Sequence, residues 1–232
     1  METLSRSWAT LLKLMRLDNS QWTFPKLCLL RVFLLFPVND TEHLFECLEC
    51  FFQLINSAVK EGSAHLSSHT EEIVVLSVLL NSFINATSTE FTITHANQFL
   101  PFVFRAMSMM DHNLDVRIMS SKVIQNCCIA LEAEEEVLVS TLICGSIEVM
   151  GIMSQSDHES ASHPSHEMMM ESMMNGIIHL LSNFRLARNL SMQLGLESIL
   201  QRLQPTQSIA ELVREIRAIV SRHGSTDMEH ID

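Results

Sequence analysis

Residues 4–17 read LSRSWATLLKLMRL, and this stretch decides the fold class of the chain. Its apolar side chains recur three or four positions apart, which is the spacing of one face of an α-helix. The residues that follow this spacing are Leu4, Trp8, Leu11, Leu12 and Met15. Similar spacing recurs downstream, and only 6 glycines and 5 prolines interrupt the 232 residues. A β-sandwich or barrel needs more turn residues than this, so the sequence predicts an all-helical protein.

The apolar spacing predicts about ten helices, separated by short polar or proline-containing segments. They cover residues 4–17, 24–36, 42–60, 71–85, 95–110, 115–132, 134–153, 167–181, 183–194, 197–203 and 208–223. Residues 87–94 are rich in β-branched side chains, and we interpret them as a loop in which Thr94 caps the next helix. Residues 154–165 are polar and aperiodic, which predicts an insertion between two helices. The sequence thus predicts one domain over residues 1–223 and a flexible tail over 224–232.

Charge and cysteine usage restrict the possible partners and compartments. The chain has 15 Lys+Arg against 27 Asp+Glu, a formal net charge of −12. This acidity disfavours nucleic acid, whose phosphates need clustered cations. The six cysteines lie inside apolar helical stretches, which predicts free core thiols in a reducing compartment. The most apolar run, residues 27–38, contains Arg31 and is too short to span a bilayer. We therefore expect a cytoplasmic or nuclear protein without a membrane partner.

No motif in the chain predicts catalysis. There is no glycine-rich phosphate loop, no Gly-x-Ser-x-Gly elbow and no His-Glu-x-x-His pair. Cys47 and Cys50 have the spacing of a metal or redox pair, but apolar residues surround them and no second pair is spaced to complete a zinc site. The histidines His158, His163 and His166 are interpreted as part of a solvated loop, with adventitious Ni²⁺ or Zn²⁺ binding as the alternative. The sequence therefore predicts no enzyme activity, no metal and no cofactor.

Asparagines recur after apolar stretches and suggest a repeat. Asn56, Asn81, Asn126 and Asn183 are separated by intervals that average near 40 residues, the period of armadillo and HEAT units. In such units an inner helix can present asparagine carboxamides that clamp the backbone of an extended peptide. The alternative is that each carboxamide bonds its own helix or a neighbouring loop. The repeat predicts an armadillo-like or HEAT-like helical solenoid.

Four segments, in order along the chain, resemble the PUL domain family. Residues 22–32 (WTFPKLCLLRV), followed by Phe36-Pro37, are similar to the family's opening helix. Residues 75–83 (VLSVLLNSF) are similar to its Leu-Arg-x-x-x-Asn-x-Phe helix. Residues 115–126 and 181–196 look like its alanine-rich helix and its closing Leu-Gly-Val segment. The resemblance covers residues 11–203.

The resemblance implies a fold and a function. PUL domains are armadillo-like, C-terminal domains of phospholipase A-2-activating protein and its relatives. The resemblance implies a non-catalytic adaptor in ubiquitin-linked turnover that captures the acidic C-terminal tail of a hexameric AAA ATPase, valosin-containing protein. The alternatives are a detached C-terminal domain of a thioredoxin-like or deSUMOylase-type peptidase protein, or a diverged helical scaffold with another partner.

The resemblance also implies which residues bind the tail. The candidate peptide-binding residues are Arg31, Asn81, Arg105, Arg117, Lys122, Asn126, Arg185 and Arg188. Cations would attract the acidic tail, and Asn81 and Asn126 would clamp its backbone. At two positions where the family carries arginine, this chain has Ser77 and Ser172. A charged hydrogen bond contributes about 1.5–3 kcal/mol, so we expect weak binding.

Overall fold

The computed structural model of the chain describes residues 2–17, 23–36, 41–60, 68–109, 113–132, 135–155, 164–203 and 206–224. Twelve α-helices occupy these residues, and no strand forms among them. They are α1 (Glu2–Met15), α2 (Thr23–Phe33), α3 (Thr41–Lys60), α4 (His69–Ile84), α5 (Ala86–Thr94), α6 (Ala96–Ser108), α7 (Leu114–Ala130), α8 (Glu136–Met153), α9 (Pro164–Asn183), α10 (Arg185–Gln193), α11 (Leu196–Arg202) and α12 (Gln207–Gly224). The predicted all-α, solenoid-like fold class is confirmed.

The chain divides into two compact units. The first comprises residues 1–106 and 111–123, and the second comprises residues 107–110 and 124–232. Within the first unit, α1 packs on α2 and α3, α2 packs on α4, and α5 packs on α3 and α4. Within the second unit, α8 packs on α9, α10 and α11, and α9 packs on α10 and α12. Helices thus contact helices close to them in the chain, as in repeat proteins. The single domain over residues 1–223 stays a prediction.

The interpretation of residues 87–94 as a loop is wrong, because they form most of α5. The carboxamide oxygen of Asn85 caps this helix by accepting a backbone N–H of its first turn at 3.1 Å. The buried hydroxyls of Ser88 and Thr92 each donate to an earlier backbone carbonyl at 2.7 Å. These bonds satisfy polar side chains inside the fold, so tertiary packing overrides the low helix propensity of threonine. Thr94 donates to a carbonyl of its own helix at 2.8 Å rather than capping α6.

An aromatic cluster joins three helices in the first unit. Phe52 of α3 stacks on Phe99 of α6 and on the ring of His95, with centroids 5.7 Å and 5.0 Å away. Phe45 of α3 stacks on Phe91 of α5 at 4.6 Å with the two planes 10° apart. Such pairs contribute about 0.5–1.5 kcal/mol beyond the burial of their area. The cluster therefore fixes α3 against the corner between α5 and α6.

The methionine-rich helix α9 supplies the core of the second unit. Its buried methionines are Met169, Met170, Met173 and Met174. One side of α9 also makes a close approach at Gly176, where an added Cβ would lie 3.1 Å from Cys128 Sγ. Four methionines of this helix are therefore core, whereas Met168 is 43% exposed, and the glycine lets α9 approach Cys128 of α7 closely.

The bounds of the predicted insertion and tail change slightly. Pro164 and Ser165 belong to α9, because proline is favoured in the first turn of a helix. Gly224 is the last residue of α12. Residues 156–163 and 225–232 lie outside the described residues, so the insertion and the tail stay predictions.

Among the described residues, helix α8 is long and apolar enough to cross a bilayer. Helices α4 and α5 reach that length and apolar character only when taken together, and the two are bent by 117° at their junction. Length and composition do not separate a spanning helix from a core helix, and 50% of the α8 window is buried inside the protein. Glu148 is exposed within this helix. A carboxylate in the middle of a bilayer is costly, so this position is unfavourable for a spanning helix.

Candidate peptide-binding surface

The eight predicted peptide-binding residues are divided between the two units. The first unit holds Arg31, Asn81, Arg105, Arg117 and Lys122, and the second holds Asn126, Arg185 and Arg188. The structure brings two of them, on α2 and α4, into direct contact. These two helices also carry two of the segments that resemble the PUL family.

Two asparagines at the C-terminal end of α4 form hydrogen bonds with the backbone at the C-terminal end of α2. Asn81 Nδ2 donates to the carbonyl oxygen of Arg31 at 3.0 Å. One helical turn later, Asn85 Nδ2 donates to the carbonyl oxygens of Leu34 and Phe36 at 3.2 Å and 3.4 Å. The last carbonyl groups of a helix lack partners within it, so these carboxamides satisfy groups that would otherwise need water. Asn81 thus bonds a neighbouring helix, and its role as a peptide clamp stays a prediction.

The guanidinium group of Arg31 is the unpaired cation of α2. Its side chain is half-buried, and among the described residues it has no ion pair or side-chain hydrogen bond. The second cation of α2, Lys26, is buried and donates to the carbonyl oxygen of Leu17 at the end of α1. Arg16, the residue after α1, already pairs with Glu46 at 2.6 Å. Arg31 is therefore the charge in α2 that remains available to an external anion.

The other predicted cations of the first unit differ in exposure. Lys122 is exposed, and within the described part of the chain its ammonium group has no partner. Arg105 is exposed and takes part in an interaction within the protein. Arg117 is buried, with 6% of its surface exposed, and this burial lowers the pKa of its guanidinium group. Burial removes Arg117 from the cations that a peptide can reach on the described surface.

In the second unit the predicted residues also serve the fold. The guanidinium group of Arg188 donates to the carbonyl oxygens of Leu181 and Ser182 at 2.7 Å and 3.4 Å, which caps the C-terminus of α9. Asn126 is half-buried, and Arg185 is exposed and engaged within the protein. Sequence reasoning could not separate such capping roles from peptide binding, because both use the same donors.

The two serines that replace family arginines have different surroundings. The hydroxyl of Ser77 donates to the carbonyl oxygen of Ile73 in its own helix at 2.7 Å, and the residue is half-buried. Ser172 is buried, with 7% of its surface exposed. An arginine side chain can reach solvent from position 77, whereas at position 172 it would enter the methionine-rich core.

An exposed apolar surface lies beside Arg31, and the sequence analysis did not predict it. One face of α2 is buried, whereas Leu29 and Val32 on its other side are 42% and 43% exposed. Leu35 and Phe36, in the turn that follows α2, are 62% and 55% exposed. Ile84, the last residue of α4, is 73% exposed. Asn85, which follows Ile84 in the chain, donates to the carbonyl oxygens of Leu34 and Phe36, so the end of α4 lies beside the turn that follows α2. We call these five residues the α2–α4 surface. The signal in the sequence is the run 27–38, which is apolar apart from Arg31 and Pro37.

The cysteines and histidines do not form a ligand set. Within the described residues, no group of three or more His, Cys, Asp or Glu side chains converges. All six cysteines are free, and Cys47 is buried. Burial raises the pKa of the Cys50 thiol, although the charge and hydrogen bond of Arg16 act in the opposite direction. His158 and His163 lie outside the described residues, and the interpretation of His166 as a loop residue is wrong, because it lies in the first turn of α9.

Comparison of the chain with models of protein families, with curated proteins and with solved structures finds no match in any of the three. The relation to the PUL family therefore rests on the four quoted segments and stays a prediction.

Proposed function

We propose that this chain is a non-catalytic adaptor that captures the acidic C-terminal tail of a hexameric AAA ATPase, valosin-containing protein, in ubiquitin-linked turnover. The family resemblance supplies the partner. The observation that carries the proposal is the unpaired, half-buried guanidinium of Arg31, which lies next to the α2–α4 surface. A guanidinium is the side chain best suited to a carboxylate, because it donates two parallel hydrogen bonds.

The expected affinity is low. The net charge of −12 repels an acidic peptide at long range, so the attraction must come from a few local cations. Ser77 and Ser172 lack the charge that the family carries at these positions. We expect a dissociation constant of about 10 µM or weaker, which corresponds to about −7 kcal/mol. Exposed charges are screened beyond about 8 Å at physiological salt, so binding should weaken as salt is added.

A titration of the protein with the ATPase tail peptide at two salt concentrations tests the proposal. Arg31→Glu should weaken binding at least tenfold. The matched control is Arg202→Glu, an exposed arginine of the second unit that changes the net charge by the same amount. Ser77→Arg should tighten binding, because the new side chain reaches solvent from a half-buried position. If neither the wild type nor Ser77→Arg binds the tail peptide, the adaptor function is wrong.

A further inference from the structure

One face of helix α8 in the second unit is left open by the described residues. Five residues that are not buried recur three or four positions apart along this helix: Val137, Thr141, Cys144, Glu148 and Ile152. This is the spacing of one stripe along a helix, and we call these five residues the α8 face. Val137 is 70% exposed, Glu148 is exposed, and the other three are half-buried. The face is about 22 Å long from its first residue to its last.

The second unit covers the other sides of α8. The helix packs on α9, α10 and α11, and half of its residues are buried. At one edge of the α8 face, a Cβ added to Gly151 would lie 3.6 Å from the side chain of Ile199, so α11 borders the face. Because α8 is already held by three neighbouring helices, a ligand on this face has little backbone to order, which lowers the cost of binding.

Unpaired carboxylates lie in the α8 face and at its N-terminal end. Glu148 lies within the face, whereas Glu132, Glu135 and Glu136 precede or begin the helix. All four are exposed, and among the described residues none of them has an ion pair or a side-chain hydrogen bond. The helix dipole stabilises carboxylates in the first turn, but Glu148 lies about three turns further along, where this stabilisation is absent. The described part of the fold therefore supplies no partner for Glu148.

The neighbouring sequence offers no lysine or arginine to these carboxylates. Residues 132–171 contain nine Asp and Glu and neither Lys nor Arg, within a chain whose net charge is −12. A surface of one charge sign attracts partners of the opposite sign and disfavours partners of the same sign. Charge complementarity therefore points to a basic partner, and the aliphatic side chains of Val137 and Ile152 favour one that also presents apolar groups.

We propose that the α8 face binds a basic amphipathic helix of a partner protein. The apolar side chains of that helix pack on Val137, Cys144 and Ile152, and its lysine or arginine side chains pair with Glu148 and Glu136. These two carboxylates are twelve positions apart on one helix, about 18 Å, so the matching cations on a helix that lies along α8 are also about twelve positions apart. An amphipathic helix that packs its apolar side on a partner is a recurring mode of recognition. The site lies in the second unit and does not depend on the proposed tail binding.

The same carboxylates disfavour two other occupants. A two-fold contact between two copies of this chain through the α8 face would bring two sets of unpaired carboxylates together. An anionic membrane surface would repel them, although the helix itself is apolar.

Three synthetic peptides of about 16 residues, the length of the α8 face, test the proposal. The first has leucine at every third or fourth position and two lysines about twelve positions apart. In the second, glutamate replaces both lysines, and in the third, serine replaces every leucine. Fluorescence anisotropy measures their binding to the wild type and to the variants Glu148→Lys and Val137→Ser.

Each variant has a matched control in the second unit. Glu215→Lys on α12 changes the net charge by the same amount as Glu148→Lys, and Glu215 is exposed and unpaired among the described residues. Met192→Ser on α10 removes an apolar side chain that is 53% exposed. Circular dichroism checks that each variant remains folded.

The wild type should bind the first peptide about tenfold more tightly than either altered peptide, a difference of about 1.4 kcal/mol. Glu148→Lys and Val137→Ser should each weaken binding of the first peptide, and the two controls should bind it as the wild type does. Equal weakening by Glu148→Lys and Glu215→Lys would overturn the proposal, because the attraction would then come from the net charge and not from the α8 face. Equal binding of the first and third peptides would overturn the apolar contact, and with it the proposed amphipathic partner.

A second copy is the competing occupant, and sedimentation of the wild type at the same concentrations measures it. The wild type should remain a monomer. A dimer that Val137→Ser dissociates would overturn the proposal, because the α8 face would then be covered by another copy of this chain.

Discussion

Replacing Asn81 or Asn85 by alanine should loosen the α2 terminus by a predictable amount. Asn81→Ala removes one hydrogen bond to the Arg31 carbonyl, and a typical hydrogen bond contributes about 0.5–1.5 kcal/mol to stability. Asn85→Ala removes the bonds to α2 and also the N-cap of α5, and loss of a cap costs about 0.5–2 kcal/mol. We expect the free energy of unfolding to fall by about 1 kcal/mol for Asn81→Ala and about 2 kcal/mol for Asn85→Ala.

Urea unfolding followed by circular dichroism measures these changes. The matched control is Asn183→Ala, because Asn183 Nδ2 also donates to a backbone carbonyl, at 2.8 Å, but within its own exposed helix end. The control should lose less than about 0.5 kcal/mol, as most surface substitutions do. If Asn81→Ala and Asn85→Ala cost no more than the control, the carboxamides do not hold α2 to α4 and the surface is not preformed.

Three further predictions concern other parts of the fold. Gly176→Ala should destabilise the protein by about 1 kcal/mol, because the new Cβ meets Cys128 Sγ at 3.1 Å. Gly151→Ala should instead stabilise it by up to about 1 kcal/mol, since its Cβ finds no neighbour nearer than 3.6 Å; equal effects in urea unfolding would contradict the close approach. Burial raises the pKa of the Cys128 thiol to about 12, so this thiol should resist alkylation in the folded protein. Mass spectrometry measures the rate of alkylation, and a rate in the folded protein equal to that in denaturant would contradict the burial of Cys128. The hydrogen bond from Arg217 lowers the pKa of the Glu197 carboxyl in the folded protein. The pair therefore stabilises the fold fully at pH values above the pKa of glutamate in the unfolded chain, about 4.3, and this stabilisation is lost as the pH falls through the lower pKa of the folded state. Because both side chains are largely exposed, Glu197→Gln should lower the free energy of unfolding by no more than about 0.5 kcal/mol at neutral pH. The variant should also lose less stability than the wild type as the pH is lowered toward about 3. An equal loss in both proteins would show that the pair does not contribute to stability.

The fold class could be predicted because it depends on apolar spacing, which the sequence states directly. Eleven of the twelve helices lie within three residues of their predicted bounds at both ends, as α3 and α8 illustrate. Helix α5 could not be predicted in this way. Its threonine and serine hydroxyls bond backbone carbonyls, and its place depends on packing against α3 and α4.

The candidate site could be predicted only in part. Resemblance and spacing predict Arg31 and Asn81 as peptide-binding residues; in the structure Asn81 Nδ2 donates to the backbone carbonyl of Arg31, and peptide binding by either residue stays a prediction. The roles of Arg117 and Arg188 depend on burial and on the capping of a distant helix end, which no local pattern encodes. The α2–α4 surface depends on which face of the mostly apolar helix α2 is left uncovered by its neighbours, and tertiary packing determines that face.

The most direct measurement is a map of the peptide contact on the protein by nuclear magnetic resonance. Isotope-labelled protein is titrated with the ATPase tail peptide, and the amide signals that shift are assigned. We predict that the largest shifts fall in residues 27–36 and 81–86, at the ends of α2 and α4, and that Arg31→Glu removes them. Shifts confined to helices α8–α12, or no shift at any peptide concentration, would contradict the account.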